Sequence, residues 1–229
     1  MALAPGETSE TFIREVDENL RRDQAEAVVK RYGKVFIGAA IVLLLAVAGW
    51  LFWKDRQATQ AAENSEAFAA ILQDIGGPKS SGSAGRLDAL AENTNGSMEG
   101  AVRLTRAALA LQDSDRKTAI AQYKAVAEDK SVPQAYRDAA TVRQTQLEYD
   151  SLKPDEVIAR LQPLAVKDNA WFGSAGEMTA LAMLKANRRP EAVALLNAIA
   201  AEQTVPPTLR ARAEQLAAGL NIPAAPAAR

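Results

Sequence analysis

The sequence predicts an all-α protein in which a single N-terminal transmembrane helix is followed by an array of antiparallel helix pairs. Three observations predict it. The nineteen residues from Val35 to Trp53 carry no charge. Alanine, leucine, glutamate, glutamine and arginine dominate the chain beyond Trp53, while β-branched runs are short and scattered, a composition that favours helix over sheet. Clusters of Gly, Pro, Asn and Ser then interrupt that region at short intervals, as links between helices do.

The first element is a charged segment, residues 1–34. From Glu10 to Lys34 it places Phe12, Val16, Leu20 and Val28 at helical spacing among charged residues, which predicts an amphipathic or simply solvated helix next to the membrane. The second is the span, residues 35–53. A helix rising about 1.5 Å per residue needs roughly 20 apolar residues to cross a hydrocarbon core about 30 Å thick. Val35, Ile41 and Leu44 supply apolar bulk, and Trp50 and Trp53 place indole rings at one end, where the headgroup layer favours them,. The rival readings are a buried core helix and a cleavable signal peptide ending at Ala46-Val47-Ala48. Against cleavage stand an acidic leader, with Glu7, Glu10, Glu15, Asp17 and Glu18, and the bulky Trp50, Leu51, Phe52 and Trp53 beyond the supposed cut,. Arg21, Arg22, Lys30, Arg31 and Lys34 outnumber Lys54 and Arg56 across the span, so the positive-inside rule predicts a cytoplasmic N-terminus and an exported C-terminal region.

The exported part, residues 54–220, is large enough for one well-buried domain. Its predicted helices run Gln57–Asp74, Gly85–Asn93, Met98–Gln112, Asp115–Asp129, Pro133–Ser151, Pro154–Val166, Trp171–Lys185, Pro190–Gln203 and Pro207–Leu220. Pro154, Pro190 and Pro206 or Pro207 suit a first helical turn, and Asp115 or Ser114 suits an N-cap. A Gly- and Ser-rich stretch over 76–85 reads as a flexible insertion, and the Ala/Pro-rich residues 221–229 as a disordered tail.

Within this domain a spacing recurs. Ala119, Tyr123 and Val126, then Val157, Leu161 and Leu164, then Ala192, Leu196 and Ile199 are each i, i+4, i+7 sets on one helix face,. They repeat at intervals of 38 and 35 residues, near the period of about 34 residues of tetratricopeptide helix pairs. On the first helix of each pair Ala107 and Ala180 fit the small position of that repeat, whereas Thr145 fits it poorly.

Composition excludes much chemistry. A net charge of −1 gives no basic field for nucleic acid,. The chain has no cysteine and no histidine, which removes disulfides, thiolate nucleophiles and the commonest general base and metal ligand. Gly76-Gly77-Pro78-Lys79-Ser80 lacks the spaced glycine and preceding strand of a phosphate loop and reads as a linker. Glu148, Asp150, Asp155 and Glu156 gather near a helix link, where carboxylates at a helix N-terminus are stabilised by its dipole. The sequence therefore predicts no catalytic residue, no cofactor and no metal. Candidate partner-binding residues are Arg103, Arg106, Arg137 and Arg143, on first helices expected to line a concave face. Trp171 and Phe172, rigid rings at a helix start, join them.

Around Asp23-Gln24-Ala25-Glu26-Ala27 and Lys30-Arg31-Tyr32-Gly33-Lys34, and again at Gly49-Trp50-Leu51-Phe52-Trp53, the sequence resembles the YfgM-like family of ancillary SecYEG translocon subunits. The later repeats match that family in pattern only. The resemblance implies a bacterial inner-membrane protein, single-pass, whose periplasmic repeats associate with the SecYEG translocon and periplasmic chaperones that handle newly exported proteins. The same architecture would also serve a membrane-tethered organiser of cell-envelope or cell-division complexes.

Overall fold

The computed structural model describes residues 7–75, 77 and 82–221, with side chains from Lys30 to Leu220. The described residues are helical throughout and contain no strand. The chain divides into two compact units, Met1–Ala62 and Glu63–Arg229.

The first unit holds most of helix α1 (Glu7–Ile75). A helix break between the span and the next element is absent, because Lys54-Asp55-Arg56 offers neither proline nor glycine to end it,. Val35, Ile41, Leu44, Trp50 and Trp53 are 52–67 % exposed, and no part of the apolar window is buried by the protein. A core helix of a soluble domain would be covered. Cations flank the run over aromatic rings, Arg31 at 5.7 Å from Tyr32, Lys54 at 5.3 Å from Trp50 and Arg56 at 5.7 Å from Phe52. This one helix is long and apolar enough to span a membrane and fits a single-pass anchor,.

The second unit begins with the last turns of α1 and continues with α2 (Ser83–Glu92), α3 (Gly96–Gln112), α4 (Arg116–Glu128), α5 (Gln134–Glu148), α6 (Pro154–Leu161), α7 (Phe172–Lys185), α8 (Arg189–Ala201) and α9 (Pro207–Asn221). The expected insertion over 76–85 and tail over 221–229 lie mostly outside the described residues. Ser83, Ala84 and Gly85 open α2.

Packing follows a pair rule. The first helices α3, α5, α7 and α9 touch in succession, and α4, α6 and α8 each pack on both flanking first helices. Three apolar clusters succeed one another along the chain, as expected where each pair contacts only its neighbours. All three predicted triads are buried, none more than 6 % exposed. A fourth triad precedes them: Ser83, Leu87 and Leu90, at 1, 0 and 8 % exposure, repeat the i, i+4, i+7 spacing. The small position of the first helices likewise runs Ile71, Ala107, Thr145, Ala180 and Ala213, all at 2 % exposure or less. The last turns of α1 are thus the first helix of a pair with α2, and α9 takes the first-helix position after α8. Thr145, which the repeat pattern disfavours, is accommodated because its hydroxyl donates to the Thr141 carbonyl at 2.7 Å, leaving no unmet polar group.

Local chemistry sets the ends. Asp115 caps α4, its Oδ1 accepting from the Thr118 amide at 3.0 Å,. The turns after α3 and α7 are matching Schellman motifs. Ser114 and Asn187 take φ of 62° and 60°, while Asp115 and Arg188 donate their amides to the Ala110 and Met183 carbonyls. Helix α6 stops at Leu161 rather than running to Val166, because Pro163 has no amide to give the preceding turn. Leu164 still reaches the core at 5 % exposure through the turn after α6.

Candidate partner-binding trough on the first helices

The repeat register decides what each first helix presents. Counting from the small position, residues at −2 and +1 face outward between first helices. These are Thr105 and Ala108 on α3, Arg143 and Gln146 on α5, and Met178 and Leu181 on α7, while the −3 residue of α5, Val142, is 3 % exposed and forms part of the floor between them. Residues at −4 and −1 face the repeat interior, so Gln144 and Thr179, both at −1, are buried, and Gly176, at −4, lies against Ile199.

Three clefts open along the outward row. One of about 550 Å³ lies over α3, α4 and α5, with Ala108, Leu111, Tyr123 and Leu147 as its apolar wall and Arg116, Arg143, Gln146 and Asp150 at its rim. The next, about 220 Å³, is bounded by α5, α7 and α9 and again includes Arg143 and Gln146, with Trp171, Met178, Glu177 and Arg212. The third, about 590 Å³, is the most apolar, formed by Trp171, Val205, Pro206 and Leu209 with the loop before α7. Because Arg143 and Gln146 belong to the first two clefts, and Trp171 and Ser174 to the last two, the three form one trough across the second unit.

Two of the six candidate residues line this trough. Arg143 is exposed at its middle, and its guanidinium donates to Gln146 Oε1 at 3.4 Å. Trp171 is half-buried at the junction of the second and third clefts. The others are placed elsewhere. Arg106 occupies a −1 position, its side chain is 13 % exposed, and its Nε donates to both oxygens of Asp88 at 3.0 and 3.1 Å. Arg103, at −4, is held by Glu99 at 2.7 Å and by Gln122. These two arginines join α2, α3 and α4 to one another. Arg137 donates to Gln134 within its own helix and leaves its Nε buried. Phe172, 3 % exposed, is a core residue packed with Ala175, Leu196 and Val205 and offers no ring to a partner.

The carboxylates near the α5–α6 link are dispersed into structural contacts. Glu148 accepts from Gln144 at 3.0 Å and from Arg160. Asp150 pairs with Lys185 at 3.6 Å, and Glu156 accepts the Lys153 amide at 3.1 Å at the start of α6. Among the described residues no group of three acidic, histidine or cysteine side chains is placed to hold a metal ion.

Trough electrostatics are mild. Burial raises the Tyr123 hydroxyl pKa, partly opposed by the nearby Arg143 cation. Burial likewise raises that of Tyr149, whose ring lies 4.4 Å beneath Lys185 Nζ. Such a surface can bind by shape, ring contact and guanidinium hydrogen bonds. The register missed by sequence reading would have found it: Gln146, Met178 and Ala108 share the outward positions with Arg143, and Leu111 and Arg116 adjoin them.

A family profile described as a tetratricopeptide repeat-like domain matches residues 27–218. No curated protein and no solved structure matches the chain.

Proposed function

The chain belongs to the tetratricopeptide repeat-like domain family, and on that premise we propose that it is a membrane-anchored interaction scaffold holding segments of other proteins in the trough of its second unit. Members of such repeat families bind protein partners along surfaces made by successive repeats. The observation that carries the reading is the continuity of the trough, in which three clefts share Arg143, Gln146, Trp171 and Ser174 as common walls. Residues 35–53 are the anchor. The excess of Lys and Arg before it directs residues 1–34 to the cytoplasm and the repeats, residues 54–220, to the periplasm. The resemblance to YfgM-like ancillary subunits favours the SecYEG translocon and periplasmic chaperones as partners, with newly exported chains as the cargo they share.

The test is photo-crosslinking in intact membranes, with the reactive group at Gln146 or Met178 in the trough, or at Lys124 outside it. Translocon subunits or export chaperones captured from the first two positions and not from Lys124 are the expected outcome. Capture of envelope or division proteins alone overturns the export assignment, and equal capture from all three positions overturns the trough. Protease added to spheroplasts is expected to digest the chain beyond Lys54 and spare the first 34 residues.

A further inference from the structure

The carboxylates that line the first two clefts are already matched. Asp150 is paired with Lys185 at 3.6 Å and Glu177 with Arg212. Arg116 and Arg143 are not: among the described residues neither has a carboxylate within ion-pair distance. Asp115, beside Arg116 in sequence, is occupied in capping α4 through Thr118. Two guanidiniums therefore rim a cleft whose wall is Ala108, Leu111, Tyr123 and Leu147. On the far side of Arg143 lies a second apolar surface, made by Met178, Trp171, Val205 and Leu209.

From this arrangement we infer that the trough selects an extended protein segment carrying an acidic side chain between apolar ones. The acidic group is received by Arg143 and Arg116, and the apolar neighbours enter the clefts on either side. The inference rests on reading the trough as a binding surface. A guanidinium gives a carboxylate charge-assisted hydrogen bonds that an amide or ammonium at the same place cannot match. The apolar walls hold any such peptide alike, so the arginines set preference rather than adhesion.

The experiment uses the full chain in lipid nanodiscs, with empty nanodiscs as background. It measures binding of a short fluorescein-labelled peptide in which one glutamate is flanked by leucines, against matched peptides with glutamine or lysine there. The glutamate peptide is expected to bind about tenfold more tightly than the lysine peptide, the size of one charge-assisted contact. Arg143→Gln combined with Arg116→Gln is expected to remove that preference, and Lys124→Gln, outside the trough, to keep it. Leu111→Ser weakens all three peptides together. Equal binding of the three peptides, or a preference surviving the double change, overturns the inference while leaving the trough a binding surface. No binding by any peptide, with no protein crosslinked from Gln146 or Met178, overturns both.

Discussion

Gly100 and Gly85 are both helical glycines, yet the same methyl group has opposite consequences at the two. A Cβ at Gly100 would stand 2.8 Å from Val132 Cγ1, and the stiff Val132 side chain, 1 % exposed, has nowhere to move,. At Gly85 nothing lies within 4 Å. Gly100→Ala should therefore lower stability by about 1–3 kcal/mol through overpacking, and Gly85→Ala should raise it by about 0.5–1 kcal/mol through helix propensity. Urea midpoints of the full chain in detergent, followed by circular dichroism, check both signs. Leu196, fully buried among the last pairs, should cost about 2–5 kcal/mol when cut to alanine. Asp115 adds a dependence on pH. Hydrogen bonding to Thr118 holds its carboxyl below the ordinary carboxylate value, so the stabilisation is present above the unfolded-state pKa and fades as pH falls through the lower folded value. Asp115→Ser keeps the cap but does not titrate, and its chain should show a shallower loss of stability than the parent below about pH 4.

Helices α3 and α7 owe their ends to one kind of turn. Ser114 and Asn187 hold the same left-handed position after α3 and α7, but that conformation costs serine more than asparagine. Ser114→Gly should accordingly stabilise the α3–α4 hairpin by up to about 1 kcal/mol, the strain relieved exceeding the added freedom of the unfolded chain. Asn187→Gly should change little, and a urea midpoint that moves more for Asn187 than for Ser114 would contradict this difference in strain. The triads of α4, α6 and α8 were readable because apolar side chains recur there at the helical period. The matching triad of α2 was not, since Ser83 closes a Gly- and Ser-rich stretch and a serine at a core position carries no apolar signal. Its burial reflects a place in the register, not its chemistry. Proline at position 163 was visible and should have shortened α6, because the missing amide outweighs a continuing apolar pattern.

At the scale of the whole molecule the anchor and the repeats can be tested independently. The chain should remain with membranes in alkaline carbonate, and replacing Leu43, Leu44 and Leu45 with lysine should release it, since each central lysine disfavours insertion by about 2.5–3.5 kcal/mol. In the repeats, α9 covers α8 with Leu209, Ala213 and Ala217 and turns Glu214, Gln215 and Ala218 outward. Ending the chain before Pro207 should expose the apolar faces of α7 and α8. Increased binding of an apolar dye and faster proteolysis of the last pair are the expected readouts.

The sequence by itself determined the composition of the fold: one uncharged stretch long enough to span a membrane, then helices whose apolar faces recur at intervals of 38 and 35 residues. Both signals are local, since hydrophobic period and span length depend only on neighbours along the chain. Tertiary structure decided which face of each first helix is covered, and with it which arginines are available. Arg103, Arg106 and Arg143 all lie on first helices, but two sit at positions −4 and −1, turned toward Asp88, Glu99 and Gln122, and one sits at −2, open to the trough. Which side of a helix faces solvent is fixed by the side chains packed against it, and apart from Glu99, which shares α3 with Arg103, those partners lie on other helices.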